Sequence, residues 1–261
     1  MKTASRADVA SSFTILKGSL IEESYSFLHS WDARNSREKN IQSWKDQNEI
    51  GAKSFTWLRD VAFVMNRRFD PNGKDLPLRV LAAGRIALDE WRPILLWHIT
   101  RDEFVLRDFL ISWLYPAFTD GVYRVTAQDL YKHLHSLASR GGLVGRKWSD
   151  STIDRVAHSL LVIVRDFGLM KGSVYREFAS YHIPERSLLY LLHAIRDQVT
   201  TPSRVLNSPD WRMFLIRPSD LEHELLRLHQ FQQIRYEVAG SIVELALPCA
   251  TALEYAERMV R

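Results

Sequence analysis

The spacing of apolar residues over the first half of the chain is the feature that most constrains its fold. From Gly18 to about Tyr115 apolar side chains recur every three or four residues, without the alternation that is typical of strands. The chain therefore predicts a mainly α fold in which residues 1–115 form a helical bundle. Capping residues and breakers such as Pro116 predict helices at Ser19–Trp31, Ser36–Gln47, Ala52–Phe69, Leu78–Ala83, Leu88–His98 and Arg101–Tyr115.

The composition of the 261 residues indicates a folded protein without membrane spans. Hydrophobic residues make up 46% and charged residues 25%, which excludes a disordered chain. Its apolar runs are shorter than the roughly 20 residues that a spanning helix needs. The single cysteine, Cys249, agrees with a reducing compartment. We expect a cytoplasmic protein, with most of the six tryptophans of residues 1–115 in its core.

Residues 116–200 are organised differently and predict a winged helix-turn-helix. Thr126 and Asp129 form a capping-box pair that opens one helix, and Gly141 with Gly142 ends it. Ser149 caps a second helix, which runs to Phe167 with a regular apolar stripe before Gly168 stops it. The stripe consists of Ile153, Val156, Ala157, Leu160, Val164 and Phe167. A period of two then predicts a hairpin, with its second strand within Val174–Ile183.

This motif predicts an interface with double-stranded DNA. In a winged helix-turn-helix the second helix enters the major groove by its N-terminal end, and the hairpin contacts the flanking backbone. Residues 121–200 carry 11 basic and 7 acidic groups, so the basic excess of the chain lies there. The predicted DNA-binding residues are Arg146, Lys147, Ser149, Ser151, Thr152, Arg155, His158, Lys171 and Arg176.

Two carboxylates count against this interpretation. Asp150 and Asp154 lie on the first turns of the second helix and would repel phosphate, although they also favour the helix dipole. Because many winged helices bind proteins instead, the pattern leaves a protein interface open as the alternative.

The last segment, residues 201–261, is predicted as a helix-hairpin-helix unit that packs on the rest. Ser208 and Pro209 begin a short helix, and Ser219 caps another over Asp220–His229. A hairpin of Ile234–Val238 and Ile242–Leu247 precedes a final helix over Ala250–Val260. This order of elements permits a second, degenerate winged unit. In the competing assignment, Tyr236–Glu244 is helical and no hairpin forms there.

The sequence contains no arrangement that predicts catalysis, a metal site or a cofactor. Residues 141–147 contain three glycines but lack the Gly-Lys-Ser/Thr order of a phosphate-binding loop. His133 and His135 are two residues apart on a predicted helix, so they face different directions instead of sharing a zinc ion. We therefore expect a protein that is not an enzyme.

Several runs of the sequence are distinctive enough to indicate a family. They resemble the BrxA family, the small accessory proteins of prokaryotic BREX phage-exclusion systems. The runs are Ile21–Ser24, Trp97–Glu103, Trp148–Thr152, Asp166–Leu169, Ser208–Phe214 and Leu225–Ser241. The resemblance implies a mostly helical protein without known catalytic activity that binds DNA and works with a methyltransferase, an ATPase and other BREX components. Its implied similarity to an RNA-binding antitermination protein makes RNA an alternative ligand.

Two functions are therefore weighed against each other. The first is a DNA-binding accessory protein that contacts duplex DNA mainly through phosphate, with little sequence specificity. The second is a scaffold that assembles other BREX components through the aromatic-rich bundle.

Overall fold

The computed structural model describes residues 9–137, 148–199, 201–240 and 242–261, and its fold is mainly α, as predicted. The α-helices are α1 Ser12–Leu16, α2 Ile21–His29, α3 Arg37–Gln47, α4 Phe55–Arg68, α5 Leu76–Ala83, α6 Leu88–Thr100, α7 Phe104–Phe109, α8 Tyr115–Thr119, α9 Tyr131–His135, α10 Asp150–Asp166, α11 Glu185–Arg196, α12 Pro202–Leu206, α13 Pro218–Gln230 and α14 Ala252–Met259. The strands are β1 Met170–Lys171, β2 Glu177–Phe178, β3 Arg235–Ala239 and β4 Ile242–Ala246.

The predicted helices of the bundle form close to their predicted bounds. Ser36 caps α3 by accepting the N–H of Lys39 at 3.2 Å. Helix α4 begins later than predicted, because Ser54 and not a residue near Ala52 is its N-cap. Of the six bundle tryptophans, Trp31, Trp44, Trp91 and Trp97 are buried, and the other two are partly exposed.

Pro116 does not end its helix, contrary to prediction. Helix α7 continues through a π-helical turn, Leu110–Leu114, directly into α8. At the end of this turn the N–H of Tyr115 bonds to the carbonyl of Leu110, five residues back. The proline follows this shift in register as an early residue of α8, where its missing N–H costs little.

Three helices were not predicted: the short α1 and α12, and the buried α11. Residues 187–195 of α11 are all buried and mostly apolar, and a short apolar run does not by itself distinguish a buried helix from a buried strand. The period-two segment contains much less strand than expected, since β2 covers only Glu177–Phe178. It pairs with β1 in an antiparallel hairpin, with Lys171 opposite Glu177.

The C-terminal segment has the predicted order of elements. A 3₁₀ helix at Pro209–Phe214 is followed by α13, which starts at Pro218 with Arg217 at its N-cap instead of Ser219. Strands β3 and β4 pair antiparallel, so the competing helical assignment is wrong.

One hydrophobic core extends from Ile15 in α1 to Met259 in α14. Helix α14 packs against α5 of the bundle and against α11. Buried polar groups also join the segments: the Nδ1 of His98 lies 2.7 Å from Asp75, and its Nε2 lies 2.7 Å from the hydroxyl of Tyr190 in α11. Burial lowers the pKa of His98, which therefore stays neutral between these partners.

In the described part of the chain, no helix combines the length and the apolar character needed to span a bilayer.

Candidate nucleic-acid interface

The predicted DNA-binding residues fall in a helix-hairpin unit, defined here as residues 104–137 and 148–178. The continuous helix α7–α8, which was predicted as part of the bundle, comes first, and α9, α10 and the β1–β2 hairpin then follow in the predicted order of helix, helix and hairpin. Val125 joins the hairpin as a one-residue third strand, because its N–H donates to the carbonyl of Arg176 at 2.8 Å and receives the reciprocal bond at 2.9 Å. This bridge ties the start of the helix that includes α9 to the hairpin.

The helix that includes α9 begins at Thr126, as predicted. The N–H and the hydroxyl of Thr126 both donate to Asp129 Oδ2, at 2.7 and 2.8 Å, within a capping box. The first turn, Ala127–Leu130, is a 3₁₀ helix that continues into α9. Leu130 and Leu134 are buried, so this helix is fixed in the core.

Helix α10 is held by its predicted apolar stripe and cap. All six stripe residues, from Ile153 to Phe167, are buried. The hydroxyl of Ser149 accepts the N–H of Thr152 at 3.3 Å and lies 3.0 Å from the hydroxyls of Ser151 and Thr152. The N-terminal end of α10 therefore presents three clustered hydroxyls beside backbone N–H groups that a helix leaves unpaired.

The exposed face of α10 carries the predicted cation. Ser151, Arg155 and His158 are exposed, one turn apart along the same face, while Thr152 is half-buried. Arg155 makes no hydrogen bond or ion pair with any residue that the structure describes, and the same is true of the exposed Lys171 in β1. Both cations are thus available to an anionic partner.

The two carboxylates near the start of α10 have partners. Asp154 accepts a hydrogen bond from the hydroxyl of Tyr131 in α9, and this bond raises the pKa of the tyrosine. Asp154 also lies 3.4 Å from Nδ1 of His158. Asp150 is almost fully exposed and lies 3.6 Å from His135 Nε2. Asp154 is therefore paired within the unit, whereas the carboxylate of Asp150, next to the hydroxyl cluster in the sequence, is open to solvent.

Arg176 does not lie on the surface of the hairpin, contrary to expectation. Its side chain is only 6% exposed, and its Nε and Nη1 atoms have no hydrogen-bond partner in the described structure. Burial lowers the pKa of this guanidinium. The bridge to Val125 turns Arg176 inward, because successive side chains of a strand point to opposite faces.

Two further predicted contacts, Arg146 and Lys147, lie outside the described residues. The described residues nearest to them, Trp148 and Ser149, lead into α10.

Arg124 is an exposed cation of the unit that the sequence analysis missed. Its guanidinium lies 5.1 Å from the ring centre of Tyr123 and 5.5 Å from that of Tyr175, and its Nε lies 3.4 Å from Glu177 Oε1. Arg124 and Glu177 are direct neighbours across the bridge, and Tyr175 shares their face of the hairpin. No local signal identifies this group, because 50 or more residues separate its two halves in the chain.

The described side chains include no group of three or more histidine, cysteine, aspartate or glutamate residues arranged to hold a metal ion. What the helix-hairpin unit offers is hydrogen-bond donors and cations, which are groups suited to binding an anion.

Comparisons with known proteins place the chain in a family. The search of curated proteins gave no match. The BrxA family model matches residues 12–195, which include the bundle and the entire helix-hairpin unit. Because this match covers more than half of the 261 residues, the chain belongs to the BrxA family, the accessory proteins of BREX phage-defence systems.

Proposed function

We propose that this protein is a non-enzymatic accessory factor that binds double-stranded DNA, in the cytoplasm of a prokaryote that carries a BREX system. The observation that carries the proposal is the exposed face of α10. There Arg155, free of described partners, follows the hydroxyl cluster at the N-terminal end of the helix. This combination supplies both charge and directed donors to a phosphate backbone.

The unit would bind with the N-terminal half of α10 in the major groove. A helix of 17 residues is about 25 Å long, and the major groove accepts one helix. The hydroxyls of Ser149 and Ser151 then face phosphates, and Arg155 lies one turn further along the groove. Lys171, in the strand that follows α10, contacts the flanking backbone.

Little sequence specificity is expected from this mode. Ser149 and Lys171 contact phosphate, which every sequence presents equally. Arg155 contacts phosphate in the same way, so none of these named contacts reads a base. Affinity should therefore depend strongly on salt and weakly on sequence.

The test reverses the charge of the two cations that have no described partner, Arg155 and Lys171. Arg155→Glu with Lys171→Glu should weaken binding to a labelled random duplex by roughly 10- to 100-fold at about 100 mM salt, since two phosphate contacts are lost and two repulsions are added. Fluorescence anisotropy measures the affinity, and circular dichroism checks that the variant is folded. A matched RNA duplex in the same assay tests RNA as the alternative ligand.

A control variant makes the same change of charge outside the unit. Lys53 and Arg258 are exposed cations of the bundle region and of α14. Lys53→Glu with Arg258→Glu should change affinity less than about threefold, because neither residue belongs to the elements assigned to DNA and exposed charges are screened by salt. Equal losses in both variants, or no loss in the first, would contradict the proposed site.

An exposed aromatic face on α4 favours scaffolding as a second function. Phe55 is 74% exposed and Phe63 is 56% exposed, and their spacing of eight residues puts them on one face of the helix. Arg59 lies between them and is also exposed. Large exposed apolar side chains in a row are typical of protein-binding surfaces.

Scaffolding predicts that α4 holds another BREX component. Phe55→Ser with Phe63→Ser should abolish co-purification of that component from cells that express the whole system, and leave DNA binding unchanged. Retained co-purification would exclude α4 as the docking face.

A further inference from the structure

The exposed side of the β1–β2 hairpin carries an aromatic pair held together by a cation. Tyr123 is 69% exposed and Tyr175 is 55% exposed, although both are large aromatic residues. The guanidinium of Arg124 lies over both rings, at 5.1 and 5.5 Å from their centres. We call these three residues the tyrosine platform.

Three contacts fix the platform to the fold. The reciprocal bonds between Val125 and Arg176 hold its two halves together. Glu177 pairs with Arg124 across the bridge. Gly172 shapes the turn before Tyr175: it has a φ of 101°, and an added Cβ would overlap the Tyr175 carbonyl oxygen. The rings are therefore held in place by the backbone, which lowers the entropic cost of binding a flat ligand.

Phosphate is not the group that suits this platform. Glu177 offsets the charge of Arg124, and the remaining cation nearby, Lys171 opposite Glu177, is assigned to the duplex. What remains exposed is aromatic surface, extended by Val174, which is 77% exposed. Flat aromatic groups stack on such surfaces, and an adjacent guanidinium strengthens the stacking.

We propose that the tyrosine platform binds unpaired nucleobases of DNA whose duplex part lies against α10. The inference rests on the proposed function, because it requires the duplex to be held by the neighbouring elements. The position supports this ligand: the hairpin directly follows α10, and Lys171, a proposed phosphate contact, precedes the turn that carries Tyr175. The preferred substrate is then a duplex with an unpaired end or a locally opened site.

The experiment compares two DNA probes with the full-length protein. One is a blunt duplex of about 20 base pairs, and the other is the same duplex with a short unpaired tail that contains 2-aminopurine. The tailed probe should bind more tightly by roughly fivefold or more for each stacked base. The fluorescence of 2-aminopurine should fall on binding, as it does when the base stacks.

Substitutions separate stacking from general damage. Tyr123→Ser with Tyr175→Ser should bind both probes with the affinity of the wild type for the blunt probe. Tyr123→Phe with Tyr175→Phe should keep the preference for the tail, because phenylalanine retains an aromatic face. A tail of RNA in place of DNA shows whether the sugar matters to the preference.

The outcomes distinguish this inference from the proposed function. Salt-dependent binding to the blunt duplex with no gain from the tail overturns the inference alone. Binding to neither probe overturns both. A gain from the tail that survives the serine substitutions also overturns the platform as the base-binding site.

Discussion

Asp154 of α10 accepts a hydrogen bond from the hydroxyl of Tyr131 of α9, which links two helices of the helix-hairpin unit. The same carboxylate lies close to the face that we assign to DNA. One residue thus stabilises the unit and opposes its ligand, and these two effects can be separated by substitution.

Asp154→Asn should raise affinity for duplex DNA by roughly two- to threefold. The amide oxygen still accepts the bond from Tyr131, while a negative charge near the phosphates is removed. Tyr131→Phe is the matched variant: it should lower the free energy of unfolding by about 1 kcal/mol and give no gain in affinity. Anisotropy and urea unfolding measure the two effects. Weaker DNA binding by Asp154→Asn would contradict the assigned face.

Stability should fall with pH in a window set by His193. This buried imidazole lies 2.6 Å from the carbonyl of Leu189 through Nδ1, and its Nε2 accepts the N–H of Cys249 at 3.3 Å. Burial lowers its pKa to about 4 from an ordinary value of 6.5. The unfolded chain therefore binds the proton more readily, so the stabilisation is complete above pH 6.5 and is lost as the pH falls to about 4.

The variant His193→Gln isolates this contribution. It should be less stable than the wild type at pH 7, and the difference should shrink by up to about 3 kcal/mol between pH 6.5 and pH 4. Urea unfolding at several pH values measures the difference. A difference that stays constant over this range would show that His193 does not titrate as described.

Alanine should be tolerated less well at Gly172 than at Gly121, a glycine that also has a positive φ but has open surroundings. Gly172→Ala combines a positive φ with overlap of the Tyr175 carbonyl, so we expect a loss of about 2–3 kcal/mol or a displaced hairpin. Gly121, with a φ of 73° and nothing near its Cβ position, is the control, and alanine there should cost about 1 kcal/mol. Equal losses of stability in the two variants, measured by thermal unfolding, would mean that the hairpin turn is not tight.

Gly84 and Val260 should be coupled, because the C-terminal end packs directly on α5. An added Cβ at Gly84 would overlap the side chain of Val260. Gly84→Ala should cost about 1–3 kcal/mol, and Val260→Gly in the same chain, which removes the overlapping Cβ and Cγ atoms, should recover much of that loss. A double-mutant cycle by chemical unfolding measures this coupling. Additive losses would contradict the packing of α14 against α5.

Features that depend on nearby residues were predicted well from the sequence. The capping box at Thr126, the cap at Ser149 and the apolar stripe of α10 each involve residues within a few turns. Their physical basis is local, in orphan N–H groups and helical period, so the pattern alone identifies them.

Features that depend on distant pairing were not predictable in this way. The period of two placed Arg176 near a strand, but which face it occupies follows from its bridge to Val125. The platform of Tyr123 and Tyr175 depends on the same bridge. Helix α11 was missed because its apolar run, Leu188–Ile195, is short and nearly continuous, and such a run fits a buried strand as well as a buried helix.

The salt dependence of DNA binding tests the central claim most directly. For the wild type, the affinity for a random duplex should fall by orders of magnitude between about 50 and 200 mM salt. In Arg155→Glu with Lys171→Glu, the slope of log affinity against log salt should be smaller by about 2, one unit for each lost phosphate contact. An unchanged slope in this folded variant, or binding that does not respond to salt in the wild type, would contradict the account.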